Sequence, residues 1–167
     1  METIKTDRLV LRQPQKSDKN LLYDLLNDIT VHEFISHIYC ETLSDVDEFI
    51  FLSHLSDFKS DFCFILESKE TKEIIGLIEA YVTSDNILCV SYATKKSARG
   101  KGFICEALKA FIIYIFIKNL NILFVEFSIR EDNQPSVSIM RKLNVPLYLK
   151  KANYNNYRLS MQEKPPW

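Results

Sequence analysis

The sequence predicts a single α/β domain with a mixed, mostly antiparallel twisted sheet flanked by helices. Three observations lead there. The chain has 167 residues, 47% apolar and 26% charged, enough to bury a sizeable core, with no linker and no internal repeat to divide it. Strand-like runs alternate with helical spacing in the order strand, two or three helices, three strands, helix, strand, helix, two strands. The three consecutive strands are joined by polar connectors short enough for hairpins, which makes that part of the sheet antiparallel.

Each element has its own signal. Arg8 to Arg12 alternates and reads as a short strand. Ser17 reads as an N-cap, and Leu21, Leu22, Leu25 and Leu26 follow at helical spacing to about Asp28. Thr30 to Cys40 is open between loop and a second short helix. Ser44, with Asp47 and Glu48 behind it, resembles a capping box, and Val46, Phe49, Ile50, Leu52 and Leu55 continue the helix. Strands are predicted at Phe62 to Glu67, Glu73 to Val82 and Ile87 to Thr94. After the turn Lys95 to Gly102 comes a helix to about Lys118, apolar on nearly all sides from Ala110 to Ile117 and therefore expected against the sheet. A strand from Ile122 to Ile129 follows, and then a helix opened by Pro135 and running to about Leu143. Strands near Leu147 to Lys151 and Tyr157 to Met161 finish the chain.

Composition narrows the function. A formal charge of -1 provides no global field for nucleic acid or anionic lipid. The longest apolar run, Ala110 to Ile117, is far short of the roughly twenty residues that cross a bilayer. The mixed charges of Met1 to Asp7 fit neither a signal nor a transit peptide, so the expected location is cytoplasmic. Cys40, Cys63, Cys89 and Cys105 form no C-x-x-C pair and read as reduced, structural thiols. No cysteine spacing joins His32, His37 and His54 in a zinc set, so no metal is expected.

Only three glycines occur, Gly76, Gly100 and Gly102, against about twelve in an average chain of this length. Two of them alternate with Arg99 and Lys101 at a strand-to-helix junction. Without a Cβ the main chain approaches a ligand closely, and successive N–H groups with the positive helix end suit an anion such as phosphate. Lys95 and Lys96 add charge. The spacing is neither that of a Walker loop nor that of a Rossmann turn. A plain solvated surface turn is the alternative on spacing alone.

At this turn the sequence resembles the GCN5-related N-acetyltransferases, in particular their RimJ/RimL-type branch. Arg99, Gly100, Lys101, Gly102 and Phe103 follow the family pattern Gln/Arg-x-x-Gly-x-Gly/Ala up to the last place, where Ile104 stands. Thr6, Arg8, Leu9, Leu11 and Arg12 resemble the opening T-x-R-L-x-L-R strand, and Asp18 the aspartate that begins the first helix. Tyr92, the Glu106-Ala107-Leu108 run, Asn133 with Ser136, and Lys142-Leu143 also fall in register, from Thr6 to about Val145 in all. Asn144-Val145 replaces the usual Gly-Phe; asparagine tolerates a left-handed helix end. Met140 stands where many members carry a tyrosine general acid, and Cys89 where a strand carboxylate is common.

The resemblance implies a single GNAT-fold domain that moves an acetyl group from acetyl-CoA to a primary amine, a protein or peptide N-terminus or a small amine. It implies that backbone groups of Tyr92, Ala93 and Thr94 hold the pantetheine arm and polarise the thioester. Arg99, Gly100, Lys101, Gly102, Phe103 and Ile104 would take the pyrophosphate, and Asn133 would bind pantetheine or order the site. Ser136 is the hydroxyl left near the sulfur. For a base, Glu79 is the first candidate and Glu126 the second, beside a water chain with no dedicated side chain. Phe34, Tyr39, Phe49 and Phe58 either wall an acceptor groove or pack the core. The replacements at Met140 and Cys89 motivate a second reading, a silent acyl-CoA-binding sensor or interaction module. Monomer and homodimer are both open.

Overall fold

Among the described residues eight strands form one sheet: β1 (Thr3–Lys5), β2 (Leu9–Arg12), β3 (Asp61–Ser68), β4 (Ile74–Val82), β5 (Ile87–Thr94), β6 (Phe124–Arg130), β7 (Leu147–Lys151) and β8 (Tyr154–Ser160). Among the described residues five α-helices accompany them: α1 (Lys19–Leu26), α2 (Ile29–His32), α3 (Leu43–Leu55), α4 (Phe103–Lys118) and α5 (Gln134–Lys142). The computed structural model describes residues 3–55, 61–165 and 167.

The strand order is β1-β2-β3-β4-β5-β6-β8-β7. Every neighbouring pair is antiparallel except β5 and β6, which α4 connects as a crossover. That parallel pair is short. It runs from Ile87↔Phe124 to Cys89↔Glu126 and then stops, so the two strands diverge beyond Cys89.

Side-chain alternation gives the sheet two apolar faces. On one, Phe64, Ile78, Leu88, Val125 and Phe127 pack with Ala107, Leu108, Phe111 and Ile115 of α4 and with Val137 and Met140 of α5. On the other, Ile65, Leu77 and Ala93 pack with Leu22, Leu25, Val31 and Ile50 from α1, α2 and α3. The expected burial of α4 holds on its sheet-facing side, while Ile117 at the far end is 73% exposed.

Several boundaries differ from the sequence reading. β1 is three residues long, too short to alternate visibly, and lay outside the predicted first strand. Ser17 does not cap a helix; it sits inside a 3-10 turn, Lys16–Asp18, whose entry is held by the Asp18 carboxylate accepting from the Gln15 N–H at 2.7 Å. Asp28 does not end α1; it caps α2, accepting from the Thr30 N–H at 2.8 Å. Ser44 lies within α3. The capping box is two residues earlier, with the Thr42 N–H donating to Asp45 Oδ2 at 2.7 Å and the Asp45 N–H donating to Thr42 Oγ1 at 3.2 Å. Leu52 and Leu55, which continue the helical spacing, are 54% and 64% exposed, because α3 turns Val46, Ile50 and Ser53 inward. β8 starts at Tyr154 rather than Tyr157, its asparagines Asn155 and Asn156 pairing with β6. Asn144 has φ of +52°, the left-handed helix end expected of it.

Candidate active site

The divergence of β5 and β6 opens a cleft of about 480 Å³. Tyr92, Ala93 and Thr94 line it from β5, Arg99, Gly100, Gly102, Phe103, Ile104 and Cys105 from the turn and the start of α4, and Asn133, Ser136 and Ile139 from α5. Thr30, Val31, Phe34 and Ile35 line it from the α1–α3 side. The cleft is therefore walled from both faces of the sheet. Alternate backbone groups of β5 pair with β4 and the others face the gap, where no strand pairs with them beyond Cys89 among the described residues.

Left-handed backbone, rather than crowding, demands the paired glycines. Gly100 has φ of +76° and Gly102 φ of +79°; a Cβ on Gly100 would meet nothing within 4 Å and one on Gly102 would come 3.7 Å from Arg8 Nη2. Gly102 is the N-cap of α4 and makes no side-chain cap, and the first helical bond shown is the Glu106 N–H to the Gly102 carbonyl at 3.2 Å. The N–H groups of Phe103, Ile104 and Cys105 precede it, at the positive end of a 16-residue helix.

Arg8 pins this turn from outside. Its Nη1 donates to the Lys101 carbonyl at 3.0 Å and its guanidinium lies 4.5 Å over the Phe103 ring. Its Nε and backbone N–H donate to Glu106 at 2.6 and 2.9 Å, and Thr6 Oγ1 adds a third bond at 2.5 Å. Burial pushes the Glu106 carboxyl upward, but these donors outweigh it and hold the carboxyl below its ordinary value. The side chain of Lys101 lies outside the cleft lining. Sequence reading placed Arg8 in a strand motif and assigned it no part at the turn, since nothing local signals a contact across 98 residues.

Arg99 has a second occupation. Its Nη2 reaches Thr30 Oγ1 at 2.8 Å and Asp28 Oδ2 at 3.4 Å, and its Nε donates to the Thr94 carbonyl at 3.2 Å. At the other end of α2, Arg130 from β6 donates to the Glu33 carbonyl at 3.2 Å and to Glu33 Oε1 at 3.0 Å, and stacks 4.5 Å over Phe34. Two arginines on opposite sides of the gap thus tie the segment 28–35 across it. This strap falls in the stretch that the sequence left open between loop and helix.

Asn133 caps α5, its Oδ1 accepting the Ser136 N–H at 3.3 Å, and so fixes the serine at the cleft wall. Beside Ser136 the Tyr92 phenol is buried and its Oη has no hydrogen-bond partner among the described residues. Burial pushes that phenol well above its ordinary pKa, which Ser136 partly offsets. Met140 is wholly buried in the larger core. All four cysteines are pushed upward by burial, Cys40 to about 11, which favours neutral thiols over nucleophiles.

Glu79 stands on β4 opposite Cys63 of β3 and Ser91 of β5, on the α1–α3 face and outside the cleft lining. Its Oε2 is buried without a hydrogen-bond partner among the described residues, and His37 Nε2 lies 3.4 Å away. Glu126 is engaged by Arg158, at 2.9 Å from Nε and 2.5 Å from Nη2, and so is no free base. Of the candidate groove aromatics, Phe34 lines the cleft, Tyr39 packs 4.3 Å from His32 and Phe49 packs on the smaller core. Phe58 lies outside the described residues. Among the described residues no three His, Cys, Asp or Glu side chains stand ready for a metal, and no helix is long and apolar enough to cross a membrane.

Comparison with known proteins agrees with this architecture. Residues 8–145 match the model of the acetyltransferase (GNAT) domain. The uncharacterized N-acetyltransferase p20 of Bacillus licheniformis is 28% identical over 147 residues, 86% of this chain and 82% of that protein. A GNAT-family acetyltransferase from Bacillus anthracis superposes with a TM-score of 0.81 at 18% identity, over 97% of this chain and 100% of the other. RimL, a ribosomal-protein α-N-acetyltransferase solved with coenzyme A, superposes with a TM-score of 0.83 at 17% identity, over 95% and 98%. The family match takes in every element that walls the cleft, and the chain belongs to the GNAT acetyltransferases, enzymes that transfer an acetyl group from acetyl-CoA to nitrogen.

Proposed function

We propose that this chain acetylates a primary amine, the α-amine of a peptide or protein, by direct transfer from acetyl-CoA and in the manner of the RimJ/RimL-type branch. One observation carries the reading: the cleft is walled from both faces of the sheet, so cofactor and acceptor can meet in the gap from opposite sides. The N–H groups at the start of α4, with Gly100 and Gly102, take the pyrophosphate. Open backbone groups of residues 92–94 hold the pantetheine arm and polarise the carbonyl as charge develops on its oxygen. Asn133 orders Ser136, whose hydroxyl serves the departing thiolate. Glu79, on the α1–α3 face outside the cleft lining, receives the acceptor's proton through an intervening water. The raised thiol pKa values favour direct transfer over an acetyl-cysteine intermediate.

Mixing the protein with acetyl-CoA and a panel of free-amine peptides and polyamines, and following thiol release, tests the proposal. Turnover should be fastest with a peptide α-amine. Preference for a polyamine would move the acceptor class, and binding of acetyl-CoA with no turnover on any amine would leave a sensor.

A further inference from the structure

We propose that His37 is a proton relay, carrying the proton that Glu79 takes from the acceptor amine out to solvent; this rests on the acetyl-transfer reading and adds a residue to it. Glu79 is the base proposed above, on the α1–α3 face, and its Oε2 is cut off from solvent, with no hydrogen-bond partner among the described residues. The group that approaches this oxygen is the His37 imidazole, its Nε2 3.4 Å away in ion-pair range. The two side chains differ sharply in exposure. Glu79 is 23% exposed and His37 64%, so one end of the pair faces the interior and the other faces water. His37 sits in the 3-10 turn Ser36–Ile38, immediately after Ile35, the last strap residue to line the cleft.

The chemistry of the transfer gives such a pair a task. An α-ammonium near pKa 8 must lose its proton before nitrogen can attack the thioester, and an ordinary carboxylate near 4.3 is a poor resting place, uphill by about four pH units. An imidazole in contact with that carboxylate is a far better match. Glu79 holds the His37 imidazolium above its ordinary value of 6.5, towards the pKa of the amine. The proton balance closes in four steps: the ammonium N–H bond breaks as its proton passes through water to form Glu79 O–H, that proton passes to neutral His37 Nε2, the Nδ1 proton leaves to water, and exchange of the exposed ring's remaining N–H with water restores the Nδ1–H form for the next turnover. The other titratable groups that sense Glu79 are Cys40, before α3, and Cys63 on β3. Both thiols are pushed upward by burial and carry no charge near neutrality.

The relay predicts a pH signature that a packing role would not produce. In the parent, kcat/KM for the best amine in the panel should rise with pH through an inflection above 6.5, as His37 loses its proton. His37→Gln should lose that inflection and about tenfold or more in kcat at low buffer concentration, with the KM for acetyl-CoA unchanged. Added imidazole should restore most of the loss. Glu79→Gln with His37→Gln should be no slower than Glu79→Gln alone, because the relay acts only through the carboxylate. His37→Gln turning over within about twofold of the parent at every pH, or unmoved by imidazole, overturns the relay while leaving acetyl transfer intact. A parent with no thiol release on any amine overturns the underlying reading and the relay with it.

Discussion

Gly102 and Ser136 make different demands of a single position. Gly102 has φ of +79° and only Arg8 Nη2, at 3.7 Å, near its missing Cβ, so a side chain there is penalised by backbone strain before it touches a ligand. Gly102→Val should cost about 1 to 3 kcal/mol in stability from the left-handed backbone of a β-branched residue. Because the same N–H groups form the proposed phosphate cradle, acetyl-CoA affinity should also fall by about tenfold or more. Calorimetry on the folded variant checks it; unchanged affinity would remove the turn from the cofactor site. Ser136→Ala should leave the KM for acetyl-CoA nearly unchanged and lower kcat by roughly thirtyfold to a thousandfold, the loss of one donor that acts as charge develops on sulfur. Steady-state kinetics decides. A variant within about twofold of the parent would leave the thiolate to the backbone, or to the buried Tyr92 phenol beside it. The paired glycines and the Asn133/Ser136 spacing were legible one residue at a time. The burial of the Tyr92 phenol beside Ser136 was not, since it arises where β5 meets α5.

Among the elements, α4 is held at its N-terminus by contacts from the opposite end of the chain. Glu106 accepts bonds from Thr6 and Arg8, joining the β1–β2 region to the helix that carries the glycine turn. Its carboxyl lies below the ordinary value of 4.5, so the tether stabilises the fold above that pH and is lost as pH falls through the lower, folded value. Glu106→Gln should therefore melt lower than the parent at neutral pH, and the gap should close in acid. Thermal melts at neutral pH and at successive steps below pH 4.5 test this. A gap independent of pH would assign the loss to packing instead. The strap 28–35 is a second case. Helical spacing marks α1 and α3 clearly, whereas α2 spans Ile29–His32, a single turn with almost no periodicity to read. Its position is set by Arg99 and Arg130, which lie 69 and 97 residues away from their strap partners Thr30 and Glu33. The same contacts explain why Arg99, expected over phosphate from its place in the motif, also ties down α2.

For the whole molecule, the order of strands and helices follows from local patterning. Period-two runs, helical spacing and turn chemistry all report contacts within a few residues, and the sequence carries them directly. Most strands, α4, α5 and the family-bearing turn were therefore readable in advance, and so was the left-handed end at Asn144. Boundaries set by competing caps were not: Thr42 with Asp45 prevailed over Ser44, and Asp18 with Gln15 over Ser17. The site itself was decided by tertiary structure. The parallel pairing of β5 with β6 stops after Cys89↔Glu126, and that gap is what turns a glycine turn, two helix starts and a strap into one cleft. Whether a carboxylate is free or committed is settled the same way. Glu79 and Glu126 look alike on their strands, but Arg158 crosses from β8 to occupy Glu126, while Glu79 faces His37. Residue types and their local periods determined the elements, and the resemblance of the glycine turn and its companion motifs pointed to the family. Long-range electrostatic pairing and strand divergence, which have no local period, determined where the cleft lies and what walls it.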